Sequence, residues 1–534
     1  MSGAFNLAFS PYKQTRYQSS RHPLSHYFIA CSHNTYLTGD QLKSASTVSR
    51  YIDDLCRGCR CVELDCWDGE DGRPVICHGF TLTTKILFED VITAIAHYSF
   101  RTSEYPVILS LEVHCSPRQQ RKMAIIMKRE FGAHLLVPRD ITSVSDKVLT
   151  LHQLRERIIL KGKRPSTLDS LFDDRNVVDG FDEEDDETMG EGVTISEEQR
   201  GELRRLHEKK QAATEQATIS THKDLSDIIF LVGVNSKKLK GKDINESLPT
   251  DMMLSTNETA VFDHLGNDDV LQNTIVRNRD TLSRVYPKGI RVNSSNYHPI
   301  VAWAMGHQLA AMNYQTGGLP LHLNHAKFRQ NGQCGYVLKP EYMLSDDCSP
   351  TPPMLLTIHV ISGQQLPKPN GKRVGEVIDP YVVVSIEGPT IEPSNKYRTK
   401  TVKNNGFNPY WNEVFRLKVS DPDLSQLYIQ VKDEDDLNKD GFIGYSSIPI
   451  DCLCSGFRTI ELYDFLSNRQ GDFQFASLFC RVSVEPWQVD PEVEEPEEMM
   501  AQMGRRGSFL QSIIVTKRGS GRGGSSVRRH SMFM

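Results

Sequence analysis

Short apolar runs alternate with helical stretches over the first third of the chain. His26–Ala30, Pro74–Cys77, Val107–Leu111 and Ile158–Leu160 read as strands, with helical segments between them. The alternation resumes at Ile228–Val232 and continues over residues 222–340, so both stretches predict a parallel α/β sheet. Residues 354–485 carry a different pattern. Many short strands there are punctuated by turn signals such as Asn405-Gly406 and Asp440-Gly441, which predicts an all-β sandwich. No apolar run approaches the ~18 residues a membrane-spanning helix needs, so any membrane contact is expected to be peripheral.

The predicted strands of the first stretch end in reactive side chains. His33 and Asn34 follow the first, and Glu63 and Asp65 share one face of Cys61–Asp65. His78 follows Val75–Cys77, Glu112 follows Val107–Leu111, and Lys161 and Lys163 follow Ile158–Leu160 on one face. Singly, each has a bland reading: a solvated edge carboxylate, an exposed strand end, a structural histidine. Five such endings in succession point instead to a (β/α) barrel, whose site gathers at the C-terminal ends of its strands. Hard oxygen donors from Asn34, Glu63, Asp65 and Glu112 suit Ca²⁺ or Mg²⁺ better than zinc. The two histidines suit acid/base chemistry near neutral pH, and two lysines on one face suit a substrate that carries phosphates.

The chain has 534 residues, 38% hydrophobic and 24% charged, with a formal charge of −6. That composition excludes a fully disordered chain, a collagen-like fibre and a disulfide-rich mini-protein. Twelve scattered cysteines are expected to be reduced thiols of a cytosolic protein. Cys56, Cys59 and Cys61 are close together, but no second ligand pair follows at zinc spacing. The first twenty residues have no apolar core of a secretory signal, Ser2 stands where myristoylation needs Gly, and the C-terminus is no prenylation box.

The modest net charge hides segregation. Asp169–Glu198 holds 13 acids and one base, Arg175, and is expected to be a disordered linker. Trp487–Glu498 holds six acids and no base, whereas Met499–Met534 holds seven bases and no acid and reads as a flexible basic tail. The remainder is near +5. No stacking aromatics interleave the tail's charges, so nucleic-acid binding is not expected. Ser508 and Ser531 follow Arg pairs and are candidate kinase sites, where phosphate would weaken attraction to anionic lipid.

Several motifs carry a family resemblance. Pro23-Leu24-Ser25-His26-Tyr27 with Ser32-His33-Asn34-Thr35-Tyr36-Leu37, Cys61–Gly69, His78-Gly79, Tyr105–Glu112 and Leu160–Lys163 resemble the X box of phosphoinositide-specific phospholipase C. Leu282–Pro287, Asn293–Tyr297 and Gln330–Pro340 resemble its Y box, and Ile361–Pro367 with Asn404–Pro409 resemble its C2 domain. The resemblance covers about residues 21–485 apart from the acidic linker and is nearest to the delta type. It implies a TIM-type barrel split into an X half (21–164) and a Y half (222–340) by an acidic linker (165–221), then a C2 sandwich (354–485) and a tail (486–534). No PH domain or complete EF-hand set precedes Arg21, and residues 5–20 resemble the end of an EF-hand region.

By that resemblance, Asn34, Glu63, Asp65 and Glu112 match calcium ligands, and His33 and His78 the two catalytic histidines, with Glu63 also as base. Lys161, Lys163, Ser255, Arg284 and Tyr286 match positions that hold the inositol ring and its 4- and 5-phosphates. Leu42, Leu82 and Ile290 match a membrane-entering ridge, and Asp379, Asn404, Asp433 and Asp435 match C2 calcium positions. Two departures stand out. Val113 replaces a usual Asn beside Glu112, and Asn370, Lys372 and Arg373 lie where the first C2 loop would use a further carboxylate. The implied activity is calcium-dependent cleavage of phosphatidylinositol 4,5-bisphosphate to diacylglycerol and inositol 1,4,5-trisphosphate. It would be carried out by a monomer at the cytoplasmic face of anionic membranes. An inactive inositol phosphate-binding scaffold and a glycerophosphodiester phosphodiesterase are the alternatives.

Overall fold

Eight parallel strands close on themselves in the first two stretches. They are β1 (Cys31–Ser32), β2 (Cys61–Trp67), β3 (Val107–Val113), β4 (Ile158–Gly162), β5 (Leu231–Asn235), β6 (Met252–Asn257), β7 (Leu282–Tyr286) and β8 (Leu309–Met312). Each pairs in parallel with its chain neighbours, and β8 and β2 both pair with β1 to complete the ring. The structure is a computed structural model that describes residues 6–140, 149–164, 200–202, 204–205, 221–236, 251–265, 267–369, 377–389, 396–435 and 440–488. The acidic linker block Asp169–Glu198, the basic tail with Ser508 and Ser531, and Asn370, Lys372 and Arg373 lie outside the described residues.

Strand alternation builds the barrel in layers. Val62, Leu64, Val107, Leu109, Ile158 and Leu160 face outward into a core shared with the surrounding helices. Their alternates face the lumen, where Cys31, Cys61, Ile108, Ile159, Leu231, Met253, Leu282 and Leu309 form an apolar floor. One pleat higher the lumen-facing positions turn polar, with Glu63 beside Ser110, Ser110 beside Lys161, and Ser255 beside Arg284. Another pleat up, Asp65 lies beside Glu112. The apolar floor carries the stability of the barrel, and the polar layers open toward its C-terminal mouth.

The surrounding helices have ordinary end signals. They include α1 (Val48–Cys56), α2 (Phe88–Tyr98) and α3 (Pro117–Phe131). In α3, Pro117 takes the first turn, Lys128 and Arg129 take the last, and Gly132 ends it at positive φ. A helix over Asp268–Asp280 is capped by Asn267, whose side chain accepts from Val270 N, with two acids in its first turn and two arginines in its last.

Two predicted strands have other partners. Val75–Ile76 pairs antiparallel with Cys66 and Trp67, so His78 hangs from a hairpin at the mouth rather than from a barrel strand. Tyr27–Ile29 pairs antiparallel with Tyr336–Leu338, and the chain enters the barrel only at Cys31. The third stretch is a sandwich of two four-stranded antiparallel sheets. One consists of Met354–Gln364, Tyr410–Val419, Gly456–Glu461 and Ser477–Pro486, and the other of Pro380–Glu387, Lys396–Arg398, Gln426–Asp433 and Gly441–Pro449. Residues 6–20 run between the two bodies. Leu7 and Phe9 bridge to the sandwich, and Tyr17 bonds to Gln330 and Asn331 of the barrel.

Candidate active site

Glu63 stands at the centre of the mouth. Its Oε2 accepts from Arg284 Nη2 at 2.7 Å and from the Asn34 backbone N–H at 3.0 Å. Burial works to raise its pKa, but Arg284 and the Asn34 N–H overcome it and hold the carboxylate below its ordinary value. Around it, Tyr36 OH donates to Asp65 Oδ2 at 2.5 Å, and His114 Nε2 lies 2.7 Å from Glu112 Oε1. Asn34 sits at φ +41, which turns its side chain off the end of β1. Its Nδ2 donates to Gln41 Oε1 at 2.7 Å.

Both expected histidines are at the mouth with one ring nitrogen occupied. His33 Nδ1 is 3.1 Å from Asn313 Oδ1, and His78 Nδ1 is 2.6 Å from the Gln41 carbonyl. A carbonyl oxygen can only accept, so Nδ1 donates in both rings, and a second proton, when present, is carried on Nε2. Burial lowers the pKa of His33, opposed by the nearby Glu63.

The cationic wall comes from β4 and β7. Lys161 is buried and Lys163 exposed. A Cβ on Gly233 would stand 2.6 Å from Lys161 Cε, so the glycine makes the room that the lysine occupies. Ser255 and Arg284 are register partners on β6 and β7. Ser255 Oγ and Arg284 Nε are both buried without a hydrogen-bond partner among the described residues. A buried donor left unpaired costs about 1–3 kcal/mol. Two such donors on neighbouring strands are the groups an anionic oxygen would need. Tyr286 ends β7, half-buried.

The carboxylates and Asn34 are the donor types a hard divalent cation takes, and the buried set holds more negative charge than Arg284 alone offsets. That chemistry fits calcium. In this structure the three carboxylates are engaged by Arg284, Tyr36 and His114, and Asn34 is engaged through its Nδ2 by Gln41. Among the described residues no group of three or more His, Cys, Asp or Glu side chains is gathered in ligating geometry.

The ridge and the C2 positions are less uniform. Leu82 is 78% exposed, Ile290 is half-buried, and Leu42 is buried at 7%; Phe80 on the His78 loop, at 37%, was not foreseen. In the sandwich, Asp379 N donates to Asp433 Oδ1 at 2.7 Å and Asn404 N donates to Asp379 Oδ1 at 2.6 Å. Burial, with Asp379 and Asp435 nearby, pushes Asp433 up. Asp440, which donates no chemistry in the sequence reading, joins this group by accepting from Asp435 N, while Lys403 pairs with Asp379 at 3.2 Å. The three cysteines that hinted at zinc are free thiols, as are the other nine.

Sequence reasoning also missed Tyr36, Gln41, His114 and Asn313. His114 lies two residues beyond Glu112, directly after β3, and Asn313 directly follows β8. The period and the strand-end rule, carried one step further, would have found both. Nothing in the pattern marks Gln41, which lies in a loop.

Comparison with known proteins agrees with this geometry. Residues 20–164 match the phosphatidylinositol-specific phospholipase C X domain, 225–342 its Y domain, and 354–465 a C2 domain. The chain is 38% identical to 1-phosphatidylinositol 4,5-bisphosphate phosphodiesterase delta-4 of Xenopus laevis over 90% of its length and 62% of that protein. It is 37% identical to the human delta-1 enzyme over the same shares. The crystal structure of L. pealei PLC21 superposes with a TM-score of 0.72 at 31% identity, covering 95% of this chain and 61% of that one. The chain thus spans about three fifths of the length of these relatives. The chain thus carries, in order, the X and Y domains of phosphatidylinositol-specific phospholipase C and a C2 domain.

Proposed function

We propose that this chain hydrolyses phosphatidylinositol 4,5-bisphosphate to diacylglycerol and inositol 1,4,5-trisphosphate in a calcium-dependent reaction at anionic membranes. The observation that carries this reading is the pair of unpartnered donors, Ser255 Oγ and Arg284 Nε, beside two histidines and three carboxylates in one mouth. Lys161, Lys163 and Arg284 offer cationic anchors for ring phosphates, so polyphosphorylated head groups are the preferred substrates. Asn34, Glu63, Asp65 and Glu112 would hold calcium, which when bound lowers the pKa of the inositol 2-hydroxyl and neutralises charge on the attacked phosphorus.

Glu63, kept ionised by Arg284, takes the proton of the 2-hydroxyl as its oxygen attacks phosphorus. His33, when protonated, donates from Nε2 to a phosphoryl oxygen and so stabilises the charge of the pentacovalent transition state. His78, entering as the imidazolium, gives its Nε2 proton to the departing diacylglycerol oxygen as the P–O bond breaks and keeps Nδ1–H on the Gln41 carbonyl, leaving a cyclic 1,2-phosphodiester. Water then opens the ring with the acid and base roles reversed. Leu82 and Phe80 at the rim supply apolar contact for the lipid surface.

The test is release of inositol trisphosphate from labelled vesicles with and without calcium. His33→Ala is expected to lower the rate by a factor of about 10²–10⁴ while leaving vesicle binding intact. No release by the wild type would leave a binding scaffold, and release of glycerophosphodiester products alone would indicate the other barrel chemistry.

A further inference from the structure

We infer that Gln41 is a positioning residue that fixes which atom of Asn34 faces the cation and ties both catalytic histidines into one frame. The inference rests on the calcium-dependent reading above. Gln41 lies in the loop after β1 and is buried. Its side-chain amide is pinned at both ends. Nε2 donates to Ser294 Oγ at 2.8 Å and to Asn313 Oδ1 at 3.3 Å. Neither partner can be the donor in these bonds. Ser294 Oγ already gives its proton to the Gly39 carbonyl at 2.7 Å, and Asn313 commits Nδ2 to the Ser295 carbonyl at 3.2 Å.

With Nε2 so placed, Oε1 must face Asn34 and accept from its Nδ2. The Asn34 amide is thereby oriented with Nδ2 turned away and Oδ1 as the atom for a cation. A flipped amide would present N–H groups to the metal and repel it. The same residue acts through its backbone, because the Gln41 carbonyl receives His78 Nδ1 and Gln41 N donates to the Val292 carbonyl at 2.8 Å. Asn313, held by the Gln41 amide, receives His33 Nδ1. Gln41 comes from the X half, whereas Val292, Ser294 and Asn313 come from the Y half. One side chain therefore sets a metal ligand and both imidazoles across the seam between the halves.

Calorimetric calcium titration of the full 534-residue chain tests this, with the barrel event identified as the one that Asn34→Ala removes. Gln41→Met keeps the volume but neither polar end, and is expected to weaken that event by about tenfold or more. Gln41→Glu keeps an acceptor for Asn34, so it recovers most of the calcium affinity. It also sets a carboxylate against Asn313 Oδ1, and therefore lowers kcat at saturating calcium. Should Gln41→Met fail to fold, Gln41→Asn, too short to span Asn34 and Ser294, takes its place against Gln41→Glu. Wild-type calcium affinity in Gln41→Met, or affinity in folded Gln41→Glu as weak as in Gln41→Met, overturns the positioning role alone. Absence of any Asn34-dependent event in the wild type overturns the calcium reading and this inference with it.

Discussion

Ser255 shows how a residue can cost the free protein and serve the bound one. Its hydroxyl is buried without a partner, next to the equally unpartnered Nε of Arg284. Removing such a group relieves a desolvation penalty, so Ser255→Ala is expected to melt at the wild-type temperature or slightly above it. The same change removes a donor to a charged phosphate. It should raise KM for phosphatidylinositol 4,5-bisphosphate about tenfold and leave KM for unphosphorylated phosphatidylinositol nearly unchanged. Equal effects on both substrates, or a lower melting temperature, would place Ser255 outside the phosphate site. At this scale much of the mouth was legible before any coordinates. His33, Glu63, Asp65, Glu112 and Lys161 are lumen-facing or strand-end residues, and a two-residue period with a strand-end rule finds them, whereas Arg284 was implied only by the family resemblance. The groups that hold them are harder to see. Tyr36, Gln41 and Ser294 reach the mouth through loops, where no periodicity relates position to direction. Asp440 joins the C2 carboxylates only through its contact with the Asp435 backbone N–H.

The helix Leu319–Arg329 joins the barrel to the sandwich, and its histidines make that junction sensitive to acid. His322 stacks on Tyr445 with ring centroids 3.5 Å apart and places Nδ1 3.1 Å from Tyr428 OH. His325 Nδ1 lies 3.0 Å from Tyr445 OH. Burial, opposed by the Phe465 carbonyl and Asp464, lowers His322 to about 4, and burial with Arg329, His322 and Arg57 lowers His325 to about 3. The folded junction therefore binds fewer protons than the unfolded chain, whose histidines titrate near 6.5. Stability is full above about pH 6.5 and is lost as pH falls toward the folded values, for His322 by up to about 3 kcal/mol. Melting temperatures at pH 7 and pH 5 should differ less in His322→Gln than in the wild type. An unchanged difference would show that His322 does not govern the junction. At the scale of elements, the alternation of apolar runs was enough for a parallel barrel and a separate sandwich, because burial on both faces leaves continuous apolar strands. It misplaced Pro74–Cys77 and His26–Ala30, since a run of four or five apolar residues reads alike in a barrel strand and in an antiparallel hairpin.

Over the whole molecule, charge is distributed against function in a way the −6 average conceals. The mouth is walled by Lys161, Lys163 and Arg284, with Lys43 on the loop beside Leu42, and under the proposed function it must meet an anionic surface. Between the two halves that build it, the chain carries the block Asp169–Glu198, with 13 acids and one base. A described stretch of the connection touches the rim, where Glu202 pairs with Lys43 at 3.2 Å next to the buried Leu42. A tethered acidic segment competes with anionic lipid for the same cations, at an effective concentration that the tether keeps high. A strongly anionic membrane repels the block and favours its departure. Deleting Asp169–Glu198 should therefore raise the rate on vesicles, and the gain should be largest on weakly anionic ones, where the membrane itself displaces the block least. The attraction is electrostatic and partly exposed, so the gain should shrink as salt rises from about 0.05 to 0.5 M, where the screening length falls well below 10 Å. Replacing the block by an equally long neutral Gly/Ser segment separates charge from length. If the neutral replacement is no faster than the wild type while the deletion is, the tether's bulk restrains the enzyme; if neither is faster, the block does not restrain it at all.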